Sequence, residues 1–550
     1  MRRVRRLLDV NPITIIPRIP KTILLSPPDI LAGDPAIAAQ IYEGTFPLAG
    51  SRIASDGRSP FSITDAPRPW RRALHSFIWL RHCAAADSDL SLANARALTL
   101  DWLDEYGRPG PNLPWRTDVA ASRLRSWLAH SKVLLGHTDL ALQDRFVKQL
   151  ALHQAFLKNA ARSESDPAIR LSALCSLGLA SLAFPTPRQQ QMRLADEIGV
   201  ELDAQILPDG GHVSRRADIL VDLLTTLLPL RQCYLAKGLV APENLVAAIE
   251  RMIPQLRMHL HADGGLAAHV GTIPRRSNRL AAVLEIDSAR SIPVGEALET
   301  GFQRLAMGET IVIADTGERP PEPYARTAPR GSLSFELSSG PSGRGQRFIT
   351  NLGPASEGAD AELADAMRGR AAQSTVTLEL GPNQDEAAEP PRALFQAASD
   401  NVTDVRRLDA EDGSWRGFLA SRETDDRSGT MHDCVMTLTD GGETLRCSDT
   451  LRPIDKDGAD WTAPRATIRF HLHPDITPEK RDRTVSLSAP DGQCWALEAE
   501  GFDVSIEDSL YCGGGEPRRT KHLVLRLGGD VTRIDWTMKR VSRSMRANEA

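Results

Sequence analysis

Long apolar runs are missing from this chain of 550 residues. No stretch reaches the roughly 18 residues that a membrane-crossing helix needs, so no membrane span is expected. The basic start Met1-Arg2-Arg3-Val4-Arg5-Arg6 is not followed by the apolar core of a secretory leader, because Asp9, Asn11, Pro12 and Pro17 interrupt it. A cytoplasmic setting is the default that follows. Cysteine is sparse: the seven residues Cys83, Cys175, Cys233, Cys434, Cys447, Cys494 and Cys512 are odd in number and form no C-x-x-C pair. That argues against a zinc ribbon and a disulfide framework, and points to free thiols; neither a metal nor a cofactor is expected. Aromatic residues make up only 5%. Basic excess is also lacking. The net charge of -5 argues against a nucleic-acid or anionic-membrane partner, both of which need a basic face.

What is present reads as two structural regimes after a lead-in. Residues 1–65 are Pro-rich and aperiodic, and are expected to form a wrapping arm. Over 66–290 the apolar residues recur at helical spacing. Leu92, Ala95, Leu98, Trp102 and Tyr106 share one face, with Gly107 as the stop. Leu124, Trp127 and Leu128 mark the next stripe, and Phe146, Leu150, His153 and Leu157 another. Asp166-Pro167 has the composition of a helix start, with Asp as the cap and Pro in the first turn. Pro229 is expected to kink or end the helix that carries Leu220, Leu224 and Leu228. Consecutive helices with short connections pack antiparallel, as in a bundle, solenoid or toroid. Over 300–545 the period becomes two: Ile311 with Ile313, Leu333 with Phe335 and Leu337, Ile468 with Phe470, Ile534 with Trp536 and Met538. This is the pattern of a large antiparallel β-sandwich. Residues 354–370 and 383–395 read as polar loops.

Several short segments carry a family likeness. Leu207-Pro208-Asp209-Gly210-Gly211-His212 followed by Arg215, then Leu228-Pro229-Leu230-Arg231-Gln232, then His261-Ala262-Asp263-Gly264-Gly265-Leu266 stand in the first half. Leu333-Ser334-Phe335-Glu336-Leu337, Arg347-Phe348-Ile349-Thr350-Asn351-Leu352-Gly353 and Phe470-His471-Leu472-His473-Pro474 stand in the second. In this order the segments resemble the heparinase II/III-like polysaccharide lyases, in particular an alphaproteobacterial branch, along nearly the whole chain. The resemblance implies an N-terminal incomplete (α/α) toroid followed by a C-terminal antiparallel β-sandwich. It also implies an acidic polysaccharide as partner and a setting in the cell envelope or periplasm. Lyases of this kind cleave uronic-acid glycans by β-elimination. The uronate carboxylate must be neutralised or polarised, a base must remove the C5 proton, and an acid must protonate the leaving oxygen.

On that expectation His212 and Arg215 neutralise or orient the uronate, and Tyr234 is the general base, with Arg231 beside it one helical turn earlier. Tyr is a poor base at its free pKa of about 10 and needs cationic neighbours. Arg216, Arg231, Asp263 and His432 are the expected substrate contacts. The plainer alternatives are a loop histidine that caps a helix, a salt-bridged arginine pair and a core tyrosine. His259 and His261 have a spacing that can bind metal, but lack further ligands in sequence. Trp79, Trp102, Trp115 and Trp127 could stack on sugars, although at helical spacing they read as core. One departure weighs against turnover: where the family has a histidine before Ser/Asn-Thr, this chain has Gln373. Gln cannot exchange a proton near neutral pH. A glycan-binding or envelope-associated protein without catalysis is therefore the second expectation.

Overall fold

The computed structural model describes residues 22–136, 140–274, 277–287, 290–356, 359–379, 402–424, 429–454, 461–513 and 515–541. The loop expected over 383–395 and the first part of the expected arm lie outside them. The chain divides into two compact units. One takes the residues up to Ile206 together with Val221–Glu250 and Asn278–Ala289; the other takes Leu207–Leu220, Arg251–Ser277 and the chain from Arg290 onward.

The first unit is helical. Its long elements are Asp89–Tyr106, Thr117–Ala129, Leu140–Ser163, Pro167–Ala183 and Arg188–Gln205. Local chemistry sets their ends. Asp166 Oδ1 accepts from the amides of Ala168 (3.0 Å) and Ile169 (3.3 Å), which satisfies donors that a helix start leaves open. Gly107 closes Asp89–Tyr106 by donating to the Leu103 carbonyl. The helix Ala217–Ala236 runs through Pro229 instead of stopping there, since a proline inside a helix removes one amide donor without having to end the element. By length and composition this helix could cross a membrane, but 56% of its apolar window is buried within the fold.

The four tryptophans considered as sugar platforms are core: Trp79, Trp102 and Trp127 are 0% exposed and Trp115 is 3% exposed. They close around Phe77 and a buried cation. Arg123 lies 4.2 Å from the Trp102 ring centroid. Its Nε donates to His153 Nε2 (2.8 Å), and its Nη1 donates to the carbonyls of His75 (2.8 Å) and Pro114 (2.9 Å). A buried arginine is tolerable here because it is hydrogen-bonded and faces aromatic rings.

The second unit is antiparallel β-structure. Thr477–Arg481, Thr484–Ser488, Cys494–Ala499, Arg533–Arg540, Thr444–Pro453, Thr430–Thr439, Arg416–Glu423 and Val402–Arg407 form an eight-stranded sheet in that spatial order. Val504–Tyr511, Arg518–Leu527, Ala466–His471 and Val376–Leu378 form a four-stranded sheet. A five-stranded sheet, from Glu296–Ala297 to Gln346–Ile349, completes the set. The alternation seen in sequence is the cause: successive side chains point to opposite faces, and one face supplies a shared core. Phe335 stacks on Trp536 (5.4 Å), and Phe470 meets the same ring edge-on (5.0 Å).

Candidate functional site

The two Asp-Gly-Gly segments fold into the same turn. In the first, the Leu207 amide donates to the Gly211 carbonyl (2.8 Å) and the Gly210 amide returns to the Leu207 carbonyl (2.9 Å). Asp209 Oδ1 accepts from the Gly211 amide (2.9 Å). In the second, His261, Gly264, Gly265 and Asp263 repeat all three bonds at 2.9, 2.9 and 2.8 Å. Gly210 has φ +87°, and a Cβ there would fall 2.0 Å from the Arg251 carbonyl oxygen. Gly210→Ala therefore combines left-handed strain with a backbone clash. We expect it to destabilise by at least about 2 kcal/mol. Urea denaturation followed by circular dichroism checks this, and an unchanged midpoint would mean that the turn can rearrange freely.

His212 leaves the first turn buried, at 1% exposure. Its Nδ1 accepts from the Ser214 amide (3.0 Å) and lies 2.7 Å from Ser214 Oγ. Its ring meets Tyr324 edge-on at 5.5 Å. Burial, with the charge of Arg216 second, pulls its pKa from 6.5 down to about 3. His212 is thus a neutral hydrogen-bonding group, able to orient a carboxylate but not to neutralise it by charge.

The two arginines that follow behave differently. Arg215 has φ 61° and precedes the helix. Its Nε donates to the Thr300 carbonyl (2.6 Å), its Nη1 to the Glu318 carbonyl (2.6 Å) and its Nη2 to the Gly301 carbonyl (3.0 Å). Nη2 also pairs with Asp315, and the guanidinium lies over Phe302. All three of its nitrogens are engaged inside the fold, so Arg215 fixes the loop's shape. Arg216 is the outward one, 32% exposed, with Nε and Nη2 on the two oxygens of Asp218 (3.0 and 2.5 Å).

Asp263 belongs to a buried ionic network whose members lie far apart in sequence. Arg347 Nη2 donates to Asp263 Oδ1 (3.1 Å), and Nη1 lies 3.4 Å from Glu336 Oε2. His261 Nε2 is 3.0 Å from the same oxygen, and Nδ1 is 2.8 Å from Ser338 Oγ. His269 lies 3.1 Å from the Ile313 carbonyl and 3.2 Å from Asn351 Nδ2. His259 faces the Phe302 ring at 4.7 Å. The sequence signal for the network was Glu336, a lone charge within an apolar strand pattern.

His432 is buried elsewhere in the β-unit. Its Nε2 lies 2.8 Å from Asp449 Oδ1, and Asp449 Oδ2 accepts from Trp536 Nε1 (2.9 Å). Cys434 Sγ and Cys447 Sγ stand 3.5 Å apart beside this carboxylate. Cys434, Cys447 and Asp449 are the one trio, among the described residues, whose ligand atoms come within 4.8 Å of one another. Burial pushes the Cys447 thiol far up, so a metal held there would have to displace protons. Gln373 is 2% exposed, and its amide is 3.4 Å from the Met367 carbonyl.

The β-unit thus contains His212, Arg215, Arg216, Asp263 and His432, while Tyr234 and Arg231 belong to the helical unit. Burial, followed by the nearby Cys175, raises the Tyr234 phenol above its usual 10. That shift runs opposite to the one a base needs.

Residues 289–537 match the family model described as Heparinase II/III-like, C-terminal. The chain is 29% identical over 531 residues to FtsZ-localized protein C of Caulobacter vibrioides, covering 93% of this chain and 88% of that one. Its structure is similar to that of heparinase III, with a TM-score of 0.70 and 14% identity over 95% of this chain and 87% of that one. It is also similar to a mutant of the heparan sulfate lyase HepC from Pedobacter heparinus, with a TM-score of 0.63 and 14% identity over 92% and 82% of the two chains. The architecture expected from sequence, a helical toroid followed by an antiparallel β-sandwich, is the one these structures share.

Proposed function

We propose that this chain, whose residues 289–537 match the Heparinase II/III-like, C-terminal model and whose fold is polysaccharide-lyase-like, acts on an acidic, uronic-acid polysaccharide by β-elimination. The observation that carries the reading is the Asp-Gly-Gly-His turn, which holds a neutral His212 whose Nδ1 shares Ser214 Oγ (2.7 Å) with the backbone amide of the partly exposed Arg216 (3.3 Å). In this reading Arg216 attracts the uronate carboxylate, and His212 orients it by hydrogen bonding. Arg215 acts as a positioning residue that fixes the turn. Tyr234 carries the base role on residue type alone. Its raised pKa means that substrate binding would have to lower it.

The test incubates the full chain with a panel of uronic-acid polysaccharides and follows the ultraviolet absorbance of the unsaturated uronate. We expect a rise that falls roughly a hundredfold or more in His212→Ala and Arg216→Ala, the loss typical of removing one preorganised donor. Tyr234→Phe tests the base assignment separately; an unchanged rate would reassign it while leaving the rest.

A second reading is favoured by Gln373 and by the Caulobacter relative, whose name refers to localisation and to no reaction. In it the scaffold binds acidic glycan without turnover. Saturable binding with a flat absorbance trace would select it. A lack of both binding and turnover across the panel would sink both readings.

A further inference from the structure

One cavity of the helical unit involves none of the candidate site residues described above. It has a volume of about 70 Å³ and is lined in part by Asp29, Arg81, Ser122, Arg125 and Arg279. A single water needs roughly 10–15 Å³ by this measure, so several waters or one small oxyanion fit. The three arginines come from three separate helices, Leu80–Ala86, Thr117–Ala129 and Asn278–Ile286.

Their charges are not fully matched. Arg81 Nε is 3.3 Å from Asp29 Oδ2, an oxygen also approached by His130 Nε2 at 3.1 Å. Arg279 Nη1 is 2.6 Å from Asp222 Oδ1. Arg125 donates Nη1 to Ser176 Oγ (2.6 Å), Ser172 Oγ (3.1 Å) and the Ser172 carbonyl (3.4 Å). No carboxylate pairs with Arg125 among the described residues. Burial, with repulsion from Arg279 second, pulls the Arg125 pKa down to about 10. Arg81 is also shifted down, by burial first and with a smaller push from Arg279, against the opposing charge of Asp29. Holding three guanidiniums together with an acid deficit is unfavourable until an anion supplies the missing charge. Guanidinium forks approaching from separate helices suit a group with three or four equivalent oxygens better than a planar carboxylate.

We infer that this cavity binds a sulfate or phosphate group, presented as the free oxyanion or as the ester of a small sugar. The inference does not depend on the lyase reading. Calorimetric titration of the full chain with inorganic phosphate, inorganic sulfate, glucose 6-phosphate and glucose 6-sulfate tests it, against chloride at equal ionic strength. Saturable binding of at least one is expected, with the preferred form identifying the source. Arg279→Gln and Arg125→Met should each weaken it about tenfold or more, which corresponds to ~1.4 kcal/mol. The Arg279 side chain is 43% exposed, so that variant keeps the core intact. Arg145→Gln, a 45% exposed arginine elsewhere, should leave the affinity unchanged. Absence of saturable binding for all four ligands, or undiminished affinity in both cavity variants, would overturn the inference.

Discussion

Lowering the pH from about 7 to about 5.5 should destabilise the protein by several kcal/mol, well before any carboxylate titrates. Burial is the leading cause that pulls His75, His212, His259 and His471 down to about 3 and His261 down to about 4. In the unfolded chain each returns to about 6.5. A histidine with a depressed folded pKa contributes stability that is fully present above about 6.5 and is lost as pH falls toward the folded value, because the unfolded state takes up the proton first. At pH 5.5 each such group forfeits about 1.4 kcal/mol, so five together approach 7 kcal/mol. The load is uneven: His212, His259, His261 and His471 lie in the β-unit and His75 in the helical unit. The β-unit is therefore expected to soften first. Urea midpoints at pH 7.5, 6.5 and 5.5 check this, read by tryptophan fluorescence and far-ultraviolet dichroism. A midpoint that stays flat across that window would mean that these histidines open to water in the native state.

The fold was legible because its causes are local. A 3.6-residue period gives way to a two-residue period near residue 300, and each period requires one kind of element to bury its apolar face. Asp166-Pro167 announced its helix, and the turns of both Asp-Gly-Gly segments rest on Gly210 and Gly264, whose φ of +87° and +78° a glycine adopts without strain. The site was less legible, because its chemistry depends on partners far away in sequence. Nothing near Arg215 says that Asp315 and the carbonyls of Thr300, Gly301 and Glu318 will engage its guanidinium. Nothing near His212 says that it will be buried enough to stay neutral. Tyr234 illustrates the same limit: Arg231 stands one turn away in the helix, but burial and Cys175 set the direction of the phenol's shift. Glu336 was readable as an oddity, a charge in an apolar strand, though its partners were not.

Glu336→Ala should be among the most damaging single substitutions in the chain, lowering stability by about 3–5 kcal/mol. The side chain is fully buried. Its oxygens accept from the amides of Ala268 (3.2 Å) and Asn351 (2.8 Å), lie 3.3 Å from Thr350 Oγ1, and face His261 and Arg347. Removing the carboxylate leaves two buried amides without their acceptor and takes a buried counter-charge from Arg347, whose Nη1 keeps only the Leu266 carbonyl (3.0 Å); each such loss carries its own penalty. Asp263, 28% exposed and bound to the other end of Arg347, cannot replace it. Glu336→Gln keeps the shape but turns an NH2 group toward groups that are themselves donors, so it should fall only modestly short of the alanine variant. Arg347→Met removes the opposite charge and should destabilise by a similar amount. The double variant Glu336→Ala/Arg347→Met should then cost less than the sum of the two, because neither charge remains stranded. The sign with pH is fixed as well. Hydrogen bonding and the charge of Arg347 outweigh burial and hold the Glu336 carboxyl far below its usual 4.5. Its contribution is therefore present above about pH 4.5 and is lost as pH falls. The gap between wild type and Glu336→Ala should narrow under strong acid, whereas a gap that stays constant with pH, or fully additive single variants, would show that the carboxylate acts by packing and not by charge.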